Sequence, residues 1–227
     1  SLSSLTQKYE DIFFGELQKM NIKKPNQIPH ARGSIKEMID MINILLEKGF
    51  AYKAKDGVYF SIEKDKNYGK LAHIDIKADK KERISNDEYD KESPQDFALW
   101  KFYTNESSEA VFDAPFGKGR PGWHIECSAM SKSTLGNTVD IHTGGVDLIF
   151  PHHTNEIAQS ECANGETFVN YWIHIGFMNI NDEKMSKSKG NFYKIKDLED
   201  SGISPIAFRY WLLTSHYRTQ VNFTFEA

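Results

Sequence analysis

The sequence predicts an α/β fold, with a helical and hairpin region leading into alternating strands and helices. Three observations carry this. From residue 96 onward, short apolar runs suited to strands alternate with segments of helical periodicity, which argues for a parallel sheet. Before residue 95, two amphipathic segments and a hairpin signal stand in series. With 39% hydrophobic and 26% charged residues over 227 positions, the chain has the composition of a globular protein able to bury a core.

The elements follow in order. From about 3 to 19, Leu5, Tyr9, Ile12, Phe13, Leu17 and Met20 recur at helical spacing. Pro25 and Pro29 mark a turn. A second helix is expected from about 34 to 48, with Ile35, Met38, Ile39, Ile42, Leu45 and Leu46 on one face, Ser34 as cap and Gly49 as stop. Phe50-Ala51-Tyr52 and Val58-Tyr59-Phe60 flank Lys55-Asp56-Gly57, a hairpin signal. Residues 62–95 are polar and read as a loop-rich excursion. Then come a strand at Phe97-Ala98-Leu99-Trp100-Lys101-Phe102, a helix from Trp123 to about 131, and a strand at Val139-Asp140-Ile141-His142 broken by Gly144-Gly145. A helix over 149–162, a strand over 171–180 and a helix over 203–215 complete the pattern. The expected division is 1–95 and 96–227.

Net charge is −4, which does not itself point to nucleic-acid binding, and any nucleic-acid contact needs a local basic patch. Two cysteines, Cys127 and Cys162, make a disulfide framework improbable and favour a reducing, cytoplasmic setting. No apolar run is long enough for a membrane span, and no signal peptide opens the chain.

The most specific stretch is Lys184-Met185-Ser186-Lys187-Ser188, followed by Lys189-Gly190-Asn191. Three ammonium groups and two hydroxyls lie within six residues, at the end of an apolar segment. Lysine serves phosphate as a mobile point charge, and hydroxyls and loop amides add hydrogen bonds. A solvated turn would use the same residue types. Elsewhere, His152 and Glu156 stand four apart, on one face of a helix, and Cys127 supplies a thiol. All three are acceptable zinc ligands. His153 is an alternative by composition. Cys162, six residues past Glu156, points away and reads as a core residue.

Four stretches in one order resemble the cysteinyl-tRNA synthetase family of class I enzymes. They are Gly119-Arg120-Pro121-Gly122-Trp123-His124-Ile125-Glu126-Cys127-Ser128-Ala129-Met130, then Asp140-Ile141-His142-Thr143-Gly144-Gly145-Val146-Asp147-Leu148-Ile149-Phe150-Pro151-His152-His153, then Glu156-Ile157-Ala158-Gln159-Ser160-Glu161, and the lysine signature. Asp96-Phe97-Ala98-Leu99-Trp100-Lys101 and Tyr68-Gly69-Lys70-Leu71 also fit. The resemblance covers nearly the whole chain. It implies the second half of a Rossmann-like nucleotide-binding fold with an inserted connective region over 1–95.

The resemblance also implies roles. Cys127, His152 and Glu156 match three of four protein ligands of an active-site zinc, and Trp123 matches a wall of the cysteine pocket. Gly144, Gly145 and Asp147 fall where the adenosine is met, with His174 and Met185 where adenine rests. Lys184 and Lys187 belong to the signature that meets ATP phosphates. The implied activity joins cysteine to ATP, which comes with Mg2+, and then to tRNA(Cys). Two parts of the family pattern are missing: no His-Ile-Gly-His precedes residue 120, and no cysteine precedes Cys127 to act as fourth ligand. The expectation is therefore an internal piece of a longer enzyme, inactive alone and without an anticodon-binding domain. The alternatives are the cysteine–amino sugar ligase of mycothiol synthesis, which shares the core, and a non-catalytic fragment with weak nucleotide or metal binding. Oligomeric state is not legible.

Overall fold

A computed structural model describes residues 1–74, 96–103, 109–185 and 190–225. The chain divides into two compact units. One comprises Ser1–Ile28, Thr143–Val146 and His174–Ala227; the other comprises Pro29–His142 and Asp147–Ile173.

The larger unit is built on an amphipathic helix over an antiparallel sheet. Helix α2 (Ile35–Glu47) buries Met38, Ile42 and Leu45 of the predicted face and also Met41, which that face did not include, while Ile35, Ile39 and Leu46 are only partly buried. Ser34 precedes it, but its hydroxyl donates to the His30 carbonyl rather than capping the helix. Gly49, at φ +77°, ends the helix in the left-handed conformation that glycine adopts without a Cβ penalty. Strands β1 (Ala51–Lys53) and β2 (Gly57–Phe60) form the hairpin, with Tyr52 opposite Tyr59. Strand β3 (Phe97–Phe102) pairs with β2, and β4 (Gly119–Pro121) pairs with β3, every pairing antiparallel.

The β1–β2 hairpin is as the sequence predicts; the departure is that β3 and β4, from the region expected to form a parallel sheet, extend this hairpin as antiparallel strands. The turn at Asp56-Gly57 sends β2 back along β1, a connection too short for a parallel crossover. Val58, Phe60, Leu99 and Trp100 are fully buried in the same core as α2. Truncating one of these, such as Leu45→Ala, removes contacts worth about 2–5 kcal/mol.

Two further helices complete this core. Helix α3 (Trp123–Leu135) starts at Gly122, where the backbone passes so close to β3 that a Cβ would lie 2.1 Å from the Ala98 carbonyl oxygen. Strand β5 (Val139–Gly145) follows and neighbours β6 (Val169–Ile175) in a two-stranded sheet. The expected helix over 149–162 is an irregular turn, Ile149–His153, followed by α4 (Thr154–Asn164). Phe150 has extended φ/ψ inside that turn, which breaks the regular helix.

In the smaller unit, α1 (Leu2–Lys19) is helical as expected but buries none of its residues. The strand expected over 171–180 is interrupted after β6. Gly176 donates its N–H to the Tyr217 carbonyl at 2.8 Å, and a Cβ there would meet the Thr219 carbonyl oxygen at 2.7 Å. Strand β7 (Met178–Ile180) resumes, pairing antiparallel with β8 (Glu183–Lys184) and parallel with β9 (Val221–Phe223). Helix α5 (Ile195–Asp200), unforeseen in the sequence, precedes α6 (Pro205–Leu213), which starts with Ser204 as cap and proline in its first turn.

Candidate active site

Helices α3 and α4 and the turn that precedes α4 bring the sulfur, carboxylate and imidazole together. Gln159 Nε2 on α4 donates to Ser128 Oγ on α3 at 3.2 Å, and Lys132 Nζ donates to Asn164 Oδ1 at 2.6 Å. From the other side, Tyr68 donates its hydroxyl proton to Asn155 Oδ1 at 2.6 Å. Held in this way, Cys127 on α3 faces His152 and Glu156, and the three ligand atoms lie within 4.8 Å of one another.

Glu156 is the unusual member. Its side chain is fully buried; the Cys127 thiol hydrogen-bonds to its carboxylate, and neither neighbouring imidazole meets it in hydrogen-bond geometry. His152 Nε2 stands 2.8 Å from Oε1 and His142 Nε2 stands 3.3 Å from Oε2, close enough for charge interaction but without hydrogen-bond geometry. A buried carboxylate held by no donor stronger than a thiol is costly unless a cation or proton compensates it. The donor set of thiol, imidazole and carboxylate fits zinc.

Several imidazoles surround this carboxylate. His124 Nδ1 and His152 Nδ1 are 2.8 Å apart, so one of them carries the proton they share. Burial, and then the neighbouring His152, pushes His124 down to about 3, which keeps it neutral. Burial also lowers His142, against the opposing pull of Glu156. Cys127 is pushed up to about 12 by burial, reinforced by the Glu156 and Glu126 carboxylates. In the absence of a cation its sulfur is a thiol at neutral pH. The Trp123 ring is 59% exposed and stacks on His152, with centroids 4.6 Å apart.

The remaining sequence candidates are placed as follows. Gly144 and Gly145 end β5, and Asp147 lies exposed on the turn Val146–Leu148. His174 is half-buried near the end of β6. Met185 lines an apolar cavity of about 220 Å³ with Met178, Ile180, Leu198, Phe208 and Phe223. Lys184 holds its ammonium 5.3 Å over the Phe177 ring. Lys187, with Ser186, Ser188 and Lys189, lies outside the described residues. Cys162 faces Asp65, Glu161 and Lys48 rather than the centre.

Sequence reasoning passed over His124 and His142. His124 precedes Cys127 by three positions on α3, a spacing that shares a helix face, and this was the available signal. His142 reaches Glu156 from another strand, which no local spacing reveals. Among the described residues no helix is long and apolar enough to cross a membrane.

A cysteine–tRNA ligase of Brachyspira hyodysenteriae is 53% identical over the whole chain, which covers 48% of that protein. One of Chlamydia pneumoniae is 51% identical, again over 100% of this chain and 48% of the relative. The chain thus spans about half the length of the curated relatives it matches. Among solved structures, Mycobacterium tuberculosis methionyl-tRNA synthetase in complex with methionyl-adenylate shares the fold, with a TM-score of 0.71 at 15% identity, over 100% of this chain and 54% of that one. The family model for the catalytic domain of class I (C) tRNA synthetases matches residues 1–227, and the chain belongs to that family.

Proposed function

We propose that this chain supplies the thiol-recognition centre and the lysine signature of an enzyme that activates cysteine with ATP and transfers it to tRNA(Cys) in the cytoplasm. The observation that carries the proposal is the fully buried Glu156 carboxylate converging with Cys127 and His152. Those three residues would hold zinc. When bound, zinc supplies a Lewis-acidic position for a thiolate, which serine's alcohol fills poorly and alanine cannot fill. A polar or coordinating contact of that kind discriminates far better than a methyl-sized pocket.

The protein groups have separable tasks. His152 would present its Nε2 lone pair to the ion and keep its proton on Nδ1, donated to neutral His124. Trp123 would flank the substrate side chain. Gly144 and Gly145 would allow close approach of the nucleotide, Asp147 would accept the ribose hydroxyls, and His174 and Met185 would meet the adenine. In the first step a cysteine carboxylate oxygen attacks the α-phosphorus of ATP, and the bond to the bridging oxygen breaks. Pyrophosphate leaves, accompanied by Mg2+. Lys184 and Lys187 would neutralise its growing charge, a contribution present mainly in the transition state. In the second step a terminal ribose hydroxyl of tRNA attacks the adenylate carbonyl, and AMP departs.

Exchange of labelled pyrophosphate into ATP tests this in the full-length protein. Cysteine should support exchange and serine should not. Lys187→Ala should lower the rate with little change in cysteine affinity. Equal exchange with serine and cysteine, or a Lys187→Ala rate equal to that of the parent, would contradict the reading.

A further inference from the structure

We propose that His142, His153 and Glu156 form a second divalent transition-metal site, joined to the Cys127–His152 site through the Glu156 carboxylate. Ligand atoms from His142, His153 and Glu156 lie within 4.8 Å of one another. They come from β5, from the turn that precedes α4, and from α4 itself.

The argument starts from the two carboxylate oxygens. Both are buried, and neither is in hydrogen-bond geometry with an imidazole. Oε1 faces His152 Nε2 at 2.8 Å, on the Cys127 side. Oε2 faces a different imidazole, His142 Nε2, at 3.3 Å. One ion taken up by Cys127 and His152 accounts for Oε1. It leaves Oε2 facing the His142 and His153 imidazoles. A carboxylate bridging two metal ions is a recurrent arrangement, and it would satisfy both oxygens. His153 and Glu156 are almost wholly buried, whereas His142 retains partial exposure and leaves the site open to an ion from solvent.

The donor chemistry sets the class of ion. Two imidazoles and one carboxylate suit zinc, cobalt or nickel, and not calcium or magnesium, which prefer oxygen. Lacking sulfur, this site should be the weaker of the two for zinc, and repulsion between neighbouring cations weakens the second binding event further. The inference does not require the zinc reading above, because Cys127 is no part of this ligand set.

A cobalt titration of the metal-free protein separates the sites. Thiolate-to-cobalt charge-transfer absorption follows the Cys127 site, and equilibrium dialysis with elemental analysis counts total metal. A second equivalent should bind without adding charge-transfer intensity. His142→Gln, with His142→Asn as a second variant in case the first misfolds, should lose that equivalent and keep the charge-transfer band. Cys127→Ser should lose the band and keep the His142-dependent equivalent. A parent protein with no band but one His142-dependent equivalent would support this site and sink the thiol site. A single equivalent that carries the band, or two equivalents retained in both folded His142 variants, would overturn the proposal. So would a His142 variant that merely weakens a single band-bearing equivalent, since His142 would then only orient Glu156.

Discussion

Cys127 and Cys162 both face carboxylates, Glu156 and Glu126 beside the first and Asp65 and Glu161 beside the second. Burial acts first, these charges add to it, and each thiol is pushed up to about 12, with Lys48 opposing at Cys162. The thiolate is the reactive form, so both sulfurs should be alkylated by iodoacetamide at pH 8 far more slowly than a free thiol while the metal-free chain is folded. Denaturant should restore ordinary rates. Fast alkylation of Cys127 in the folded, metal-free chain would contradict this. The linked effect on stability has a definite sign: the folded state keeps thiol protons that the unfolded chain loses near 9. Stability from these groups is therefore complete below pH 9 and is lost as pH rises toward about 12. The thiol, imidazole and carboxylate types were legible in the sequence because His152 and Glu156 sit four apart near a helix start. His142 was not, because its approach to Glu156 depends on where β5 runs.

At the scale of elements, α3 delivers Cys127, and Gly122 sets where α3 begins. Its N–H donates to the Leu99 carbonyl at 2.8 Å, and no room exists for a side chain against Ala98. Gly122→Ala should cost about 1–3 kcal/mol through overpacking and should weaken metal binding at Cys127 in parallel, since the helix start must shift. Gly15→Ala on α1 is the matched control. Open space surrounds that position, so alanine should stabilise the helix by about 0.5–1 kcal/mol. Thermal melts and zinc competition titrations read both; equal effects of the two substitutions would contradict the account. Periodicity made α2 legible, with Met38, Ile42 and Leu45 of its buried residues, though not Met41. It missed the break between β6 and β7, because Gly176 is constrained by a distant backbone, Tyr217 and Thr219, and not by its neighbours. It also missed α5, whose six residues are too few for a periodic signal.

At the scale of the molecule, motif and compact unit do not coincide. Cys127, His142, His152, His153 and Glu156 lie in the larger unit, whereas Gly144, Gly145, His174 and the described part of the lysine signature lie in the smaller one. The sequence order of the motifs was legible because the strings are long and specific. The compact units were not, because the segment Thr143–Val146 leaves one unit for the other in mid-strand, with no change of composition to mark it. The central claim is that the larger unit recognises a thiol through a metal at Cys127, His152 and Glu156. Zinc-edge X-ray absorption on the chain loaded with substoichiometric zinc tests it most directly. The account predicts one sulfur neighbour among nitrogen and oxygen ligands, and a second sulfur on adding cysteine but not serine. A zinc environment without sulfur, or one that cysteine leaves unchanged, would contradict it.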